Sequence, residues 1–227
     1  MRLRLACAVL LLWAGAAAAQ EDLKLLGAGV RTRPKQDGFS ERTTELYPVL
    51  RYFGERWFVR TTQGILEGGA RWNVTPGFDV GAQIAYEQGP NDKDPGASLG
   101  AHAEWEGKIG PAPVIGLVRY RQNLDTDRGA LLDLRAAGGV YQGHGFIAVL
   151  FAQLSFATEK YYRAYYGLDE SGLLYGSVGA QVSYDLTRRW MIVGSAERKH
   201  MSDNAARSPL VVQRSASYLG IGLAYRF

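Results

Sequence analysis

The C-terminal segment of the chain alternates large apolar residues with small or charged ones. One set of alternate positions holds Leu219, Ile221, Leu223, Tyr225 and Phe227. The other set is mostly Gly and Ala. This period of two is the pattern of a β-strand whose two faces differ. Runs of about 10 residues with the same pattern recur and are separated by turn residues. They cover 78–87, 98–106, 132–140 and 174–185.

The second face of these runs carries glycines together with charged residues. In a soluble β-sandwich the two sheets share one buried apolar face. A polar interior with an apolar exterior explains the pattern better, and it is the arrangement of transmembrane β-barrels. Short turns alternate with longer polar connections. We therefore predict an all-β fold, an antiparallel up-and-down transmembrane barrel of about 12 strands, within a range of about 10 to 14. Segment 57–74 is split into two short strands around Gly64–Glu67.

The first residues have the features of a secretory signal peptide. Arg2 and Arg4 precede an apolar run, and Ala17–Ala19 supplies a small-residue cleavage site. We predict a signal peptide at 1–19 and a barrel domain at 20–227. Cleavage removes the single Cys and leaves 24 basic against 22 acidic side chains, a net charge of +2. Little then favours a nucleic-acid partner. No later stretch approaches the ~20 apolar residues of a spanning helix.

Four segments of the chain, in order, resemble the MipA/OmpV family of outer-membrane proteins. They are 26–34, 46–50, 165–168 and 203–211. The resemblance implies a barrel of about 12 strands in a Gram-negative outer membrane, in contact with lipid and lipopolysaccharide. One family member is known as a scaffold that links a murein transglycosylase to a murein synthase. The family brings no shared catalytic residues and no cofactor.

The C-terminal residues Leu223, Tyr225 and Phe227 form a candidate assembly signal. A strand edge that ends in an aromatic residue can be captured by strand addition. We predict that the barrel-assembly machinery recognises these residues. The alternative is that they only face lipid.

Charged residues share the phase of the second face, and they are predicted to point into the lumen. The candidates are Arg31, Arg51, Arg119, Arg121, Arg135, Glu104, Glu106 and Asp133. Charges in such a position must pair or stay hydrated. We predict an ion-pair network that fills a narrow lumen. The alternative is a small pore that favours anions.

A tyrosine cluster marks one of the predicted outer loops. It consists of Tyr161, Tyr162, Tyr165 and Tyr166 beside basic residues. Clustered Tyr and Arg favour recognition of a partner or a sugar. The alternative is an ordered loop that folds back over the mouth of the barrel.

Two histidines offer weaker candidates for chemistry. His200 and Ser202 share a strand phase and could form the base and nucleophile of a lipid A deacylase. His102 with Glu104 and Glu106 could hold a metal, although one His with two carboxylates favours a structural role. We therefore predict no catalytic, metal or cofactor site. The resemblance to the MipA/OmpV family implies a non-enzymatic envelope scaffold. The alternatives are a small porin and a lipid A hydrolase.

Overall fold

A computed structural model describes residues 24–87 and 96–227. The predicted signal peptide and nearly all of the loop at 89–96 lie outside these residues. The described chain forms twelve antiparallel strands that close into a barrel, which confirms the predicted fold. The strands are β1 (Leu25–Pro34), β2 (Arg42–Phe53), β3 (Trp57–Thr62), β4 (Ile65–Thr75), β5 (Phe78–Glu87), β6 (Gly96–Ile109), β7 (Ala112–Asn123), β8 (Ala130–Gly143), β9 (Phe146–Ala157), β10 (Gly172–Asp185), β11 (Trp190–Met201) and β12 (Ser215–Arg226).

Each strand pairs with its neighbours in sequence, and β1 closes the barrel on β12. The closing register runs from Leu25 opposite Arg226 to Thr32 opposite Leu219. On β12, Leu219 and Ile221 are exposed on the outer face, whereas Ala224 is buried inside. The alternation of the sequence therefore becomes the inside and outside of the barrel, because successive side chains of a strand point to opposite faces.

The connections divide the barrel into two ends. Short connections at 54–56, 76–77, 110–111, 144–145 and 186–189 define the turn end, where β12 also finishes. Longer connections at 35–41, 124–129, 158–171 and 202–214 define the loop end. The third of these contains helix α1 (Glu159–Tyr166). Among the described residues, no helix combines the length and the apolar character needed to cross a membrane.

The hairpin of β3 and β4 is shorter than the others. Its strands are joined by Gln63 and Gly64, which both have positive φ angles, 52° and 80°. This is the geometry of a two-residue type I′ turn. The predicted split of segment 57–74 is correct, but the turn does not extend to Glu67. Because two residues complete the turn, Glu67 lies within β4.

Strand β2 is paired unequally on its two sides. It pairs with β1 along ten residues, Arg42 to Arg51. It pairs with β3 only at Arg51–Phe53. The remaining part, 42–50, has no strand on the β3 side within the described chain, and we call it the β2 edge. It contains Pro48, a residue that sheets accept mainly at edges.

Candidate functional site

The lumen contains a layer of paired charges built around Arg119. One nitrogen of its guanidinium, Nη1, donates to Glu67 Oε2 at 3.0 Å. The other, Nη2, donates to Asp133 Oδ2 at 2.8 Å. All three residues are only 1% exposed. Buried charges of this kind are tolerated when each is paired and hydrogen-bonded.

Further side chains extend this layer across the lumen. Arg60 donates to Glu67 and Glu104, each at 2.8 Å. Arg121 donates to Glu87 at 2.7 Å and to Asp133 at 3.1 Å. We call Arg60, Glu67, Glu87, Glu104, Arg119, Arg121 and Asp133 the lumen network. It joins three guanidinium groups to four carboxylates, so it offers anions no excess of positive charge.

Polar neutral side chains complete the hydrogen bonding of the lumen network. Gln83 Nε2 donates to Glu67 Oε2 at 2.8 Å. Ser155 Oγ donates to Asp133 Oδ1 at 2.7 Å. Each of these carboxylates therefore receives hydrogen bonds from both charged and neutral donors, which fixes its orientation.

The structure brings together half of the eight predicted lumen residues. Arg119, Arg121, Glu104 and Asp133 belong to the lumen network. The other four lie elsewhere. Arg31 pairs with Glu45, Arg51 stacks on Phe53 at 4.9 Å, Arg135 stacks on Phe151 at 4.1 Å, and Glu106 lies towards the turn end of β6.

Sequence reasoning missed Glu67, although it binds both Arg60 and Arg119. The cause was the assignment of Gly64–Glu67 to a turn. A signal was present, because Glu67, Gly69 and Arg71 occupy alternate positions and the residues between them are small. Starting the strand directly after Gly64 would have placed Glu67 on the inner face.

Three loops close over the barrel at its loop end. We call residues 35–41, 158–171 and 202–214 the cap. Gln36 Nε2 donates to the carbonyl oxygen of Tyr165 at 3.1 Å. Ser208 Oγ donates to the carbonyl oxygen of Tyr166 at 2.6 Å. Helix α1 is capped by Gly167, whose left-handed conformation allows its backbone N–H to donate to the carbonyl oxygen of Arg163.

The predicted tyrosine cluster forms the core of the cap. Tyr162, Tyr165 and Tyr166 are 0%, 4% and 2% exposed, and Tyr161 is half-buried. They pack on side chains of the barrel wall, namely Leu131, Leu174, Tyr175 and Met201. Burial raises the pKa of the Tyr166 phenol well above its usual value. The cluster is thus an ordered loop over the barrel mouth, and the role of these tyrosines in recognition stays a prediction.

A lysine lies directly beneath the cap. Lys199 Nζ is 3.4 Å from Asp37 Oδ2. It also lies 4.4 Å from the ring centroids of both Tyr175 and Tyr218, and the Tyr218 hydroxyl donates to Asp37. These contacts tie β10, β11 and β12 to the first loop of the cap.

The histidines occupy structural positions. His200 Nδ1 is hydrogen-bonded to Ser215 Oγ at 2.7 Å, whereas Ser202 Oγ accepts from the backbone N–H of Ala205 at 3.1 Å. The base and nucleophile of the alternative hydrolase hypothesis therefore bind different partners. His102 packs edge-on against Phe58, with ring centroids 5.1 Å apart. Within residues 24–87 and 96–227, no cluster of His, Cys, Asp or Glu could hold a metal ion.

A cavity of about 610 Å³ extends along the lumen from Asp185 and Arg226 near the turn end to Gln63 and Tyr218. Its wall combines apolar side chains, such as Val49 and Phe151, with charged ones. The charged lining residues are Arg31, Arg51, Asp185, Glu197 and Arg226. Most of the cavity wall belongs to β1, β2 and β8 to β12, so the cavity lies beside the lumen network, which joins β3 to β8.

The outer surface of the barrel is apolar. Leu46 is 82% exposed, and apolar residues are exposed on most other strands. Exposed aromatic residues gather at the turn end: Trp57, Trp72, Trp105, Tyr184, Trp190 and Phe227. An apolar band bordered by aromatic residues suits a lipid environment. The fold, the polar lumen and this band define an outer-membrane β-barrel.

Comparisons with known proteins agree with this class. The model of the family described as MltA-interacting protein MipA matches residues 26–227, and the chain belongs to that family. No curated protein is significantly similar in sequence.

Solved structures share the fold at low sequence identity. The NanC porin has a TM-score of 0.57 and 11% identity, covering 89% of this chain and 100% of its own. An outer-membrane channel from Pseudomonas putida F1 has a TM-score of 0.56 and 10% identity, covering 90% and 96%. The KdgM porin has a TM-score of 0.51 and 10% identity, covering 89% and 99%.

Proposed function

We propose that this barrel is a non-enzymatic scaffold that holds murein-processing enzymes at the outer membrane. One observation carries the proposal: the cap covers the loop end of the barrel, and the lumen network fills the side of the lumen between β3 and β8. A barrel whose mouth is covered in this way offers surfaces for binding partners and a restricted path for solutes. The name of the family, MltA-interacting protein, supports a murein enzyme as one partner.

The turn end is the surface that such partners would contact. In outer-membrane barrels the short turns face the periplasm, where murein lies. Exposed basic residues gather on these turns: Arg56, Lys108, Arg188 and Arg189. A partner with an acidic surface would associate rapidly with such an end.

A crosslinking pull-down from the periplasmic side tests this proposal. The wild-type barrel should capture a murein transglycosylase and a murein synthase. The double variant Arg56→Glu and Arg188→Glu should capture much less of both. Arg207→Glu, an exposed change at the loop end, is the matched control and should leave capture unchanged. Equal capture by all three proteins, or none by the wild type, would overturn the scaffold proposal.

A small channel is the second candidate function. The structural likeness to porins and the cavity of about 610 Å³ favour it. Transport would require the cap to move away from the mouth of the barrel. We expect the purified protein to show no ion conductance in planar bilayers. Steady conductance of the wild type would favour the channel over the scaffold.

The remaining proposals concern export, assembly and chemistry. Residues 1–19 direct export, and Leu223, Tyr225 and Phe227 are recognised by the assembly machinery. The assembled barrel contacts lipid and lipopolysaccharide. It performs no lipid A hydrolysis, because His200 and Ser202 bind different partners. Overexpression should therefore leave the acyl pattern of lipid A unchanged, and a loss of acyl chains would contradict this.

A further inference from the structure

Two arginines meet on the outer face of the barrel near its loop end. Arg198 Nη1 donates to Ser217 Oγ at 2.9 Å. Arg42 Nη2 donates to the carbonyl oxygen of Ser217 at 2.9 Å and to that of Thr32 at 3.3 Å. Both arginines are exposed. Strands β2 and β11 therefore bring two positive charges to one residue of β12.

The strand phase shows that both arginine side chains point away from the lumen. Arg42 shares the phase of Leu46, which is exposed on the outer face. Arg198 lies directly opposite Val178, which is also exposed there, and residues paired across a ladder share one face of the sheet. The longer loops of outer-membrane barrels are extracellular. The two arginines therefore lie where the apolar band meets the outside.

Arg42 and Arg198 differ from other arginines of the loop end, because neither has an acidic partner within residues 24–87 and 96–227. The paired arginines there are Arg33, Arg128, Arg163, Arg207 and Arg214. Arg42 and Arg198 each use one nitrogen for their bonds to the barrel, so other N–H groups of the guanidinium remain available. Such groups bind phosphate through parallel N–H···O bonds.

A groove of about 920 Å³ runs from these arginines across the outer face. It is lined at one end by Arg198 and Ser217 and at the other by Trp105. Its floor follows one row of cross-strand neighbours: Arg198, Val178, Ala152, Ala136, Gly116 and Trp105. The row passes from β11 to β6, so it crosses five strand spacings. At about 4.8 Å each, these spacings give the groove a length of about 24 Å.

The groove has an apolar wall along its loop-end side. Val118, Leu134 and Leu154 stand in the next row of the sheet and are 47%, 37% and 44% exposed. The floor residues beside them on β7, β8 and β9 are glycine and alanine, so the wall rises above the floor. An apolar groove that ends at two guanidinium groups matches a lipid with an acyl chain and an anionic headgroup.

We propose that this groove binds lipid A, the phosphorylated glycolipid that anchors lipopolysaccharide in the outer leaflet. Arg42 and Arg198 hold a phosphate, and one acyl chain lies along the groove towards Trp105. A phosphomonoester carries a charge of about −1.5 to −2, which suits two guanidinium groups better than the single charge of a phosphodiester. The inference rests on the contact with lipopolysaccharide proposed above and assigns its site. It does not depend on the scaffold role, because the scaffold surface lies on the turns.

Native mass spectrometry of the purified barrel in neutral detergent tests the site. The probes are phosphorylated lipid A, lipid A without its phosphates, and phosphatidylglycerol, which has a phosphodiester. The wild type should bind one phosphorylated lipid A at least about tenfold more tightly than the form without phosphates, because that form makes no charged hydrogen bonds. Phosphatidylglycerol should also bind more weakly than phosphorylated lipid A.

A double variant tests the role of the arginines. Arg42→Gln with Arg198→Gln should bind lipid A with and without phosphates equally weakly. Arg56→Gln with Arg188→Gln removes the same charge at the turn end and should keep the wild-type preference for phosphate. Heat-modifiable migration on gels shows whether each variant folds, and the comparison of probes on the wild type needs no variant.

An alanine of the groove floor tests where the acyl chain lies. Ala152→Phe should weaken binding of both forms of lipid A and leave the preference for phosphate intact. Ala101→Phe, an exposed change on the outer face of β6 outside the groove, should change neither.

Three results would overturn the proposal. Absence of lipid A binding by the wild type would refute the contact with lipopolysaccharide itself. Equal affinity of the wild type for lipid A with and without phosphates, or a preference for phosphate that survives in the folded arginine double variant, would refute the arginine site alone. Equal affinity for phosphatidylglycerol would refute the assignment to lipid A.

Discussion

The guanidinium of Arg31 occupies the space in which Gly64 would otherwise carry a side chain. A Cβ atom at Gly64 would fall 1.3 Å from Arg31 Nη1. The same nitrogen donates to the carbonyl oxygen of Gln63 at 2.6 Å. Arg31 on β1 therefore holds the tip of the short β3–β4 hairpin, although β2 pairs with that hairpin along only three residues.

Gly64→Ala should destabilise the barrel by more than strain alone explains. Alanine at φ 80° costs about 1 kcal/mol. It would also displace Arg31 and break its bond to Gln63, which adds about 1 kcal/mol or more. The free energy of unfolding in urea, measured in detergent, reports the total.

Gly110→Ala is the matched control for that change. Gly110 also has a positive φ angle, 60°, but a Cβ there would meet nothing within 4 Å. Gly110→Ala should lower the free energy of unfolding only by the cost of the strained backbone. If the two variants lose the same stability, Arg31 does not hold the hairpin.

Arg119→Met should weaken the barrel strongly. The change keeps much of the volume but leaves Glu67 and Asp133 short of one buried guanidinium each. Breaking a buried pair in this way costs about 3 kcal/mol or more. Arg119→Lys should recover only part of the loss, since an ammonium cannot bind both carboxylates with the same planar geometry.

Arg207→Met provides the comparison for the Arg119 variants. Arg207 pairs with Glu170 at 2.8 Å, but this pair is exposed at the loop end. Exposed pairs contribute little because water screens them. Unfolding curves of Arg207→Met should match those of the wild type. A similar loss of stability in Arg207→Met and Arg119→Met would show that burial in the lumen network does not increase the contribution of Arg119.

The cap should open at alkaline pH. Burial raises the pKa of Tyr166, so its phenol ionises in the unfolded loop before it ionises in the folded one. The stabilisation is complete below the ordinary phenol pKa of about 10 and is lost as the pH rises towards the folded value. Protease cleavage at the loop end should therefore increase above pH about 10.

Tyr166→Phe should reduce this pH dependence, because it removes one ionisable group and keeps the ring. Tyr120→Phe is the control, because Tyr120 is exposed on β7 outside the cap. Cleavage that rises identically in the wild type and in Tyr166→Phe would exclude Tyr166 as a contributor.

Removal of Phe227 should lower the yield of folded barrel in outer membranes. The residue is exposed at the end of the closing strand, where the assembly machinery would bind it by strand addition. Ile221→Ala, a lipid-facing change in the middle of β12, should have a smaller effect. Heat-modifiable migration on gels measures the folded fraction. Wild-type amounts without Phe227 would contradict its role as an assembly signal.

Alternation along the sequence, together with the turn residues, predicts about 12 strands and most of their inner faces, since the period of a strand is two. Arg119 and Asp133 are direct cross-strand neighbours in one hairpin, so their pairing follows from the local register. The contact of Arg119 with Glu67 does not. It joins β7 to β4, three strands away, and depends on the curvature of the sheet between them.

The cap was less predictable for the same reason. The sequence shows that residues 161–166 are rich in tyrosine, but composition does not determine whether a loop turns outward or folds back. Here the outcome depends on Gln36 and Ser208, which approach the helix from loops far away in the sequence.

The cap is built from loops that are far apart in the sequence, and this constrains the order in which parts of the protein fold. Gln36 and Tyr165 are separated by 129 residues, and Ser208 joins them from the loop before the last strand. The cap can pack only after β1 and β12 have met. We therefore expect the mouth of the barrel to close only after the strands have paired.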